Sequence, residues 1–241
     1  MPANDILWDN VEDGIEPLYD TYKIHLEELN RILRDTGEFV EGNNFYLDGI
    51  TPVENQMPVE EFRPRRRAHV TLAQNSAHVV EVGFNAGHSA LLLLTANSDL
   101  IYTGFDICTH GYTERCFDYL KSVFGNRIRL TKGDSVQTLP TLYQLYPDVL
   151  DQNIGWIVDG CHLIDVARED AKHVIEELAK DNQILLFDDI DASPGYIKEM
   201  MDTYIQNKNL VCLKEISTLV HNVGPHAQYT FIQGVFQIKV K

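Results

Sequence analysis

The chain has 241 residues, of which 44% are apolar and 23% charged, and its formal net charge is −16. This length suits one α/β domain with a small N-terminal addition, and the apolar content is enough for a core of normal size. The charge makes nucleic acid and anionic membranes poor partners, because both are negatively charged themselves.

The cysteines and the ends of the chain bear on its compartment. Four cysteines are present without a C-x-x-C pair, a pattern unlike that of a disulfide scaffold. No apolar run approaches the roughly 20 residues that span a bilayer, and the acidic N-terminus lacks the basic region of a signal peptide. We therefore expect a cytoplasmic protein with no membrane association.

The N-terminal part predicts a helix and a loop. Residues 15–36 place apolar side chains at helical spacing, and Gly37 is typical of a helix end. We predict an N-terminal extension over 1–65 and a main domain over 66–241. The basic run RPRRR at 63–67 has two interpretations, a solvated hinge before the main domain or an anion contact near a substrate.

From about residue 77, short β-rich runs alternate with helical patterns. The predicted strands are 78–83, 100–106, 127–134, 154–160, 183–189, 209–216 and 228–240. The predicted helices between them are 89–97, 113–125, 136–146 and 166–181. Alternation of this kind predicts right-handed βαβ units, whereas the last two strands follow each other without a long helix and should pair antiparallel. The fold class is therefore α/β: a Rossmann-like, doubly wound, seven-stranded, mostly parallel sheet with an antiparallel C-terminal edge, plus N-terminal helices.

The stretch EVGFNAGHS at 81–89 joins the first predicted strand of this sheet to a helix. Gly83 and Gly87 allow a sharp turn and a close approach of the backbone to a ligand. A dinucleotide site usually shows G-x-G-x-x-G, but the spacing here is G-x-x-x-G with Glu81 before it. A carboxylate there suits a cationic ligand such as S-adenosylmethionine better than it suits a pyrophosphate.

This stretch resembles the first motif, E-x-G-x-x-x-G-x-S, of class I S-adenosylmethionine-dependent methyltransferases. Asp106, at the end of YTGFD, matches the carboxylate that binds the ribose hydroxyls in this family, and GDS at 133–135 matches the adenine contact. Asp134 could alternatively cap the next helix. The resemblance covers about residues 66 to 240. It implies that the cofactor contacts are Glu81, Gly83, Phe84, Asn85, Gly87, Ser89, Asp106, Ile107, Asp134, Ser135 and Asp159.

Three carboxylates follow the fourth and fifth predicted strands. Asp159 lies in VDGCH, and Asp188 and Asp189 lie in FDDID. Because these strands should be neighbours, the three carboxylates should converge, and they repel one another unless a cation neutralises them. Oxygen ligands favour a hard ion, so we predict a site for Mg²⁺, or for Mn²⁺ or Ca²⁺, at these residues.

The D-G-x-H form of the first of these motifs resembles metal-dependent O-methyltransferases that act on sugars and other small natural products. The match implies that His162 is the general base. Coordination of a hydroxyl to a cation would lower its pKa, and a nearby histidine could then take the proton. Cys161 departs from the pattern, because many relatives have an acidic residue there.

We therefore predict an O-methyltransferase that acts on a small-molecule hydroxyl. The alternatives are a catechol or phenol acceptor, a cofactor-binding protein without activity, and an NAD-dependent oxidoreductase. The N-terminal helix has enough apolar surface either for a homo-oligomer contact or for packing over the chain's own active site.

Overall fold

The computed structural model of the protein describes residues 16–46, 52, 54–191, 195–221 and 228–240. Its centre is a seven-stranded sheet in the order β3-β2-β1-β4-β5-β7-β6. The strands are β1 (His78–Val82), β2 (Ile101–Asp106), β3 (Ile128–Lys132), β4 (Ile154–Val158), β5 (Ile184–Phe187), β6 (Leu210–His221) and β7 (Gln228–Ile238).

The first five strands run parallel, and β7 pairs antiparallel with both β5 and β6. The predicted fold class is therefore confirmed. All residues of β1, β4 and β5 are buried, as expected for parallel strands with helices on both faces. The order reverses between β1 and β4, and this switch point places their carboxyl ends beside a crevice.

Helices cover both faces of this sheet. Among the described residues they are α1 (Glu16–Thr36), α2 (Arg63–Gln74), α3 (His88–Ala96), α4 (Thr113–Phe124), α5 (Ser135–Thr138), α6 (Leu142–Leu145), α7 (Ile164–Lys172) and α8 (Tyr196–Gln206). None of the helices that the structure describes is long and apolar enough to cross a membrane.

Two helix predictions need correction. The continuous helix expected over 136–146 is divided into α5 and α6 by a 3₁₀ segment, Leu139–Thr141, which contains Pro140. Proline lacks a backbone N–H and interrupts the helical hydrogen bonds. The helix expected over 166–181 begins earlier, as α7, and continues as a π-helix over His173–Leu178.

The N-terminal part shares its core with the sheet-and-helix domain. Tyr22, Leu26 and Leu29 of α1 are buried in the same apolar cluster as Leu91 of α3. The apolar face of α1 therefore packs within the chain, against α3, and no residue of α1 that the structure describes lines the cavity described below. The boundary at residue 65 and a homo-oligomer both stay predictions.

The basic run at 63–67 forms the first turn of α2, with a proline near the helix start, where its missing N–H costs no hydrogen bond. Arg65 is 5% exposed and Arg66 is 1% exposed. The interpretation of this run as a solvated hinge is therefore wrong for these two residues.

Candidate active site

A cavity of about 590 Å³ lies at the carboxyl ends of β1, β2 and β4. Most of the site residues predicted from the sequence line it: Gly83, Phe84, Asn85, Ser89, Asp106, Ile107, Asp134, Ser135, Asp159 and His162. Its volume is in the range of small-molecule and cofactor sites. Four of the predicted site residues do not line the cavity: Glu81, Gly87, Asp188 and Asp189. Each of them instead has contacts behind or beside the cavity wall.

The turn after β1 needs glycine at two positions. Gly83 has a φ of 96°, and a Cβ atom there would lie 1.9 Å from the carbonyl oxygen of Asp159. Gly87 has a φ of 74° and precedes α3, where a Cβ atom would lie 2.6 Å from the Phe84 ring. Gly87 therefore shapes the turn without lining the cavity, and Gly83 lets β1 and β4 approach closely at the site.

Asp106 ends β2 with its carboxylate held by backbone donors. Its Oδ2 accepts a hydrogen bond from the Asn85 N–H at 2.8 Å, and its Oδ1 accepts one from the Cys108 N–H at 2.6 Å. These bonds fix the carboxylate at the cavity wall and also tie the end of β2 to the glycine turn.

Glu81 is fully buried beneath the turn. Its Oε2 accepts hydrogen bonds from the Ser89 hydroxyl, at 2.8 Å, and from the Tyr102 hydroxyl. Burial raises the pKa of Glu81 to about 7. The carboxylate thus joins β1, β2 and the first turn of α3, and it supports the turn from behind.

Asp134 and Ser135 line the opposite end of the cavity. The Asp134 side chain accepts a hydrogen bond from the Val136 N–H at 3.1 Å, so it caps α5. The capping role that the sequence left open is therefore present, and it leaves Asp134 exposed at the cavity wall.

His162 lies between two carboxylates at the mouth of the cavity. Its Nδ1 is 3.4 Å from Asp189 Oδ2, and its Nε2 is 3.8 Å from Asp159 Oδ1. The interaction with Asp159, together with the charge of Asp189, raises the pKa of His162 to about 9. The ring is 40% exposed and can meet a molecule that enters the cavity.

Asp188 faces away from the cavity, toward α2. The Arg65 guanidinium donates to Asp188 Oδ2, and the two side chains are only 7% and 6% exposed. Burial alone would raise the pKa of Asp188, but the charge of Arg65 holds it below its usual range. Burial and the charge of Asp188 raise the pKa of Asp159 well above its usual range and that of Asp189 to about 7.

Residues 80–190 match the model of a family described as a methyltransferase domain. The matched part of the chain runs from β1 to the residues just after β5. The match contains the glycine turn, Asp106, Asp159 and the Asp188–Asp189 pair.

Three solved structures resemble the whole chain in fold. The O-methyltransferase TomG from Streptomyces achromogenes, solved with SAM, is 14% identical with a TM-score of 0.56, and 90% of each chain is covered. The Podospora anserina methyltransferase PaMTH1, bound to SAH, is 15% identical with a TM-score of 0.54, covering 95% of this chain and 98% of that one. An O-methyltransferase from Bacillus cereus, in complex with SAH, is 13% identical with a TM-score of 0.53, covering 89% and 91%. No curated protein sequence matches the chain.

The metal site predicted at Asp159, Asp188 and Asp189 is not supported by how these side chains are arranged. Among the described residues, no group of three or more histidine, cysteine, aspartate or glutamate side chains is placed to hold a metal ion. Asp188 is instead paired with Arg65. The residues present therefore do not fit the ion in this arrangement, and the metal stays a prediction from the sequence.

Part of the cavity wall comes from the N-terminal segment of the chain. The segment Glu41, Gly42, Asn43 and Asn44 lines the cavity, and the Asn85 side-chain amide donates to the carbonyls of Glu41 and Gly42. Arg66 donates to the Asn44 carbonyl at 3.1 Å. These residues were not predicted from the sequence, because the segment carries no motif.

Proposed function

We propose that this protein is an S-adenosylmethionine-dependent O-methyltransferase that acts on a hydroxyl group of a small molecule, such as a sugar or another natural product, with His162 as the general base. The observation that carries the proposal is the position of His162. The ring lines the same cavity as the glycine turn and is held between Asp159 and Asp189.

The lining residues fit S-adenosylmethionine. The Asp106 carboxylate would accept hydrogen bonds from the two ribose hydroxyls, and Asp134 and Ser135 would meet the adenine ring. The turn from Gly83 to Ser89 would receive the methionine end, because most of it lines the cavity at the start of α3, where free backbone N–H groups favour an anionic carboxylate. The cofactor, when bound, supplies a methyl group on a sulfonium.

His162 would take the proton of the acceptor hydroxyl. A histidine between two carboxylates has a fixed ring orientation, and the carboxylates stabilise the imidazolium that forms. Because its pKa is raised to about 9, the neutral form of the ring grows as the pH rises through the alkaline range. Asp159 and Asp189 therefore act as groups that orient His162.

The net charge of −16 and the cavity volume of about 590 Å³ favour a small, neutral or cationic acceptor over nucleic acid. O-methyltransferases are among the structures that share the fold, which supports oxygen as the atom that is methylated. A catechol or phenol remains the second class of acceptor, since such hydroxyls also need a base at the cavity mouth.

The proposal is tested by an acceptor screen. The chain is incubated with S-adenosylmethionine and panels of sugars, polyols, natural-product alcohols and catechols, and release of S-adenosylhomocysteine is measured with and without EDTA. Turnover with a sugar or alcohol supports the proposal, and turnover only with catechols favours the second acceptor class. Tight cofactor binding without transfer to any acceptor would point to a binding protein.

A further inference from the structure

We propose that the buried guanidinium of Arg65 supplies, from within the chain, the positive charge that the carboxylates at the ends of β4 and β5 require, so that this edge of the sheet binds no divalent cation. The inference rests on the proposed function only in treating this edge as the catalytic one. It gives the basic run at 63–67 a role inside the site.

Arg65 and Asp188 form a buried ion pair. Arg65 and Asp188 are 123 residues apart in the chain, and both side chains are more than nine-tenths buried. A buried charge without a partner is strongly unfavourable, so each of the two groups needs the other as its counter-charge in this place. The Phe62 ring, whose centroid is 5.6 Å from the guanidinium carbon, further fixes its position.

Asp188 lies beside the other two carboxylates at the ends of β4 and β5. Val158 and Phe187 are register partners in adjacent parallel strands, so Asp159 and Asp188 leave the sheet side by side. Asp189 follows directly. A divalent cation shared by the three carboxylates would lie close to the guanidinium in a water-poor environment, where like charges repel strongly.

The carboxylates of Asp159 and Asp189 also face a basic side chain, the imidazole of His162. His162 lies 3.4 Å from Asp189 and 3.8 Å from Asp159, between the two. Each of the three acids therefore has a basic side chain beside it. The space that a shared metal ion would need between Asp159 and Asp189 holds an imidazole.

Helix α2, which carries Arg65, is held in place by hydrogen bonds of the neighbouring residue. The Arg65 carbonyl contacts His69 Nδ1 at 2.9 Å, and the neighbouring Arg66 donates to the carbonyls of Asn44 and Val59. The His69 contact lies within the helix, and the two bonds of Arg66 anchor the helix to the residues that precede it in the chain. The guanidinium is consequently a fixed cation.

The experiment uses Mn²⁺ as a paramagnetic probe on the full chain, with bound ion measured by electron paramagnetic resonance. The wild type should bind none at this edge up to roughly millimolar Mn²⁺. Arg65→Met removes the guanidinium and keeps the three carboxylates. It should therefore bind one Mn²⁺, with an affinity at least roughly tenfold above the limit found for the wild type. Arg65→Met/Asp188→Asn should lose that ion again.

Two controls separate charge from shape. Arg65→Lys keeps a cation in the same place and should behave as the wild type does. Arg63→Met removes a neighbouring arginine that pairs with Glu60 at the surface, and it should also bind no ion.

The inference is overturned if the wild type binds one Mn²⁺ that Asp189→Asn abolishes, or if folded Arg65→Met gains none. Should Arg65→Met fail to fold, the wild-type titration against Asp189→Asn decides alone. Calorimetry of S-adenosylmethionine on the same samples keeps the two proposals distinct. A chain that binds neither Mn²⁺ nor the cofactor refutes the proposed function, whereas one that binds both refutes only the role of Arg65.

Discussion

The side chain on which the chemistry depends is His162, held at the cavity mouth by Asp159 and Asp189. His162→Gln keeps a polar side chain of similar reach but removes the base. We expect kcat to fall by roughly 10²- to 10⁴-fold, with little change in cofactor affinity, because the ring is at the mouth of the cavity. Transfer assays with an acceptor from the screen, together with cofactor calorimetry, measure both quantities.

The matched control for His162 is its neighbour Cys161, which is exposed and also lines the cavity. Cys161→Ala should keep kcat within about twofold of the wild type. A loss at Cys161 equal to that at His162 would mean that the loop, and not the imidazole, is what the reaction needs.

Glu81 predicts a pH dependence of stability. Its pKa is about 7 in the folded protein against an ordinary value of 4.5. Between these values the folded protein holds a proton that the unfolded chain has released, so its stability falls as the pH rises through this window. The contribution lost by about pH 8 is roughly 3 kcal/mol.

Glu81→Gln removes this titration while it keeps an oxygen that can accept from Ser89 and Tyr102. Urea unfolding of both proteins at about pH 5 and about pH 8 measures the effect. Relative to the wild type, the variant should gain roughly 2.5 kcal/mol in the free energy of unfolding over this range. Parallel pH profiles for the two proteins would show that Glu81 is not a buried, proton-binding group.

At the scale of elements, the link between α2 and β5 has a clear energetic signature. Arg65→Met and Asp188→Leu each leave a buried charge unpaired and should lower the free energy of unfolding by about 3–5 kcal/mol. Arg65→Met/Asp188→Leu removes both charges and should recover most of that loss. Urea unfolding of the four proteins completes the double-mutant cycle.

Additive losses in this cycle would contradict a direct buried pair. The surface pair Arg168–Asp165 is a suitable comparison, because its side chains are 55% and 90% exposed. Its cycle should give a coupling below about 1 kcal/mol.

The elements also show what a sequence can reveal. ILLF and HVVEV predict buried strands because an apolar run flanked by turn residues has few other structures open to it. The place of Gly83 in the turn can be predicted from the sequence, because only glycine fits there. The buried ion pair of Arg65 could not be predicted from the sequence, because its partner is 123 residues away. A run of arginines considered by itself resembles a solvated surface.

At the scale of the whole molecule, the N-terminal segment, residues 41–44, is joined to the sheet-and-helix domain at the cavity wall. Asn85 donates to the carbonyls of Glu41 and Gly42, and Tyr112 donates to Asn85 at 2.7 Å. These bonds link the N-terminal segment, here called the covering segment (residues 41–44), to the glycine turn. No pattern in the sequence predicts them, since they depend on how α1 packs against α3.

This link predicts that cofactor binding is felt in the N-terminal segment. S-adenosylmethionine should slow amide hydrogen exchange in residues 38–46 together with residues 83–89, because the two segments share the cavity wall. Hydrogen-exchange mass spectrometry measures both segments at once. Protection of the turn alone would mean that the covering segment does not take part in binding.

The central claim is that this cavity binds S-adenosylmethionine through Asp106. The most direct test is calorimetric titration of the cofactor, in EDTA, into the wild type, Asp106→Ala and the surface control Asp118→Ala. We predict micromolar binding to the wild type and to Asp118→Ala, and binding at least about tenfold weaker to Asp106→Ala, which lacks the charged acceptor for the ribose. Absence of binding to the wild type, or equal binding to all three proteins, would contradict the account.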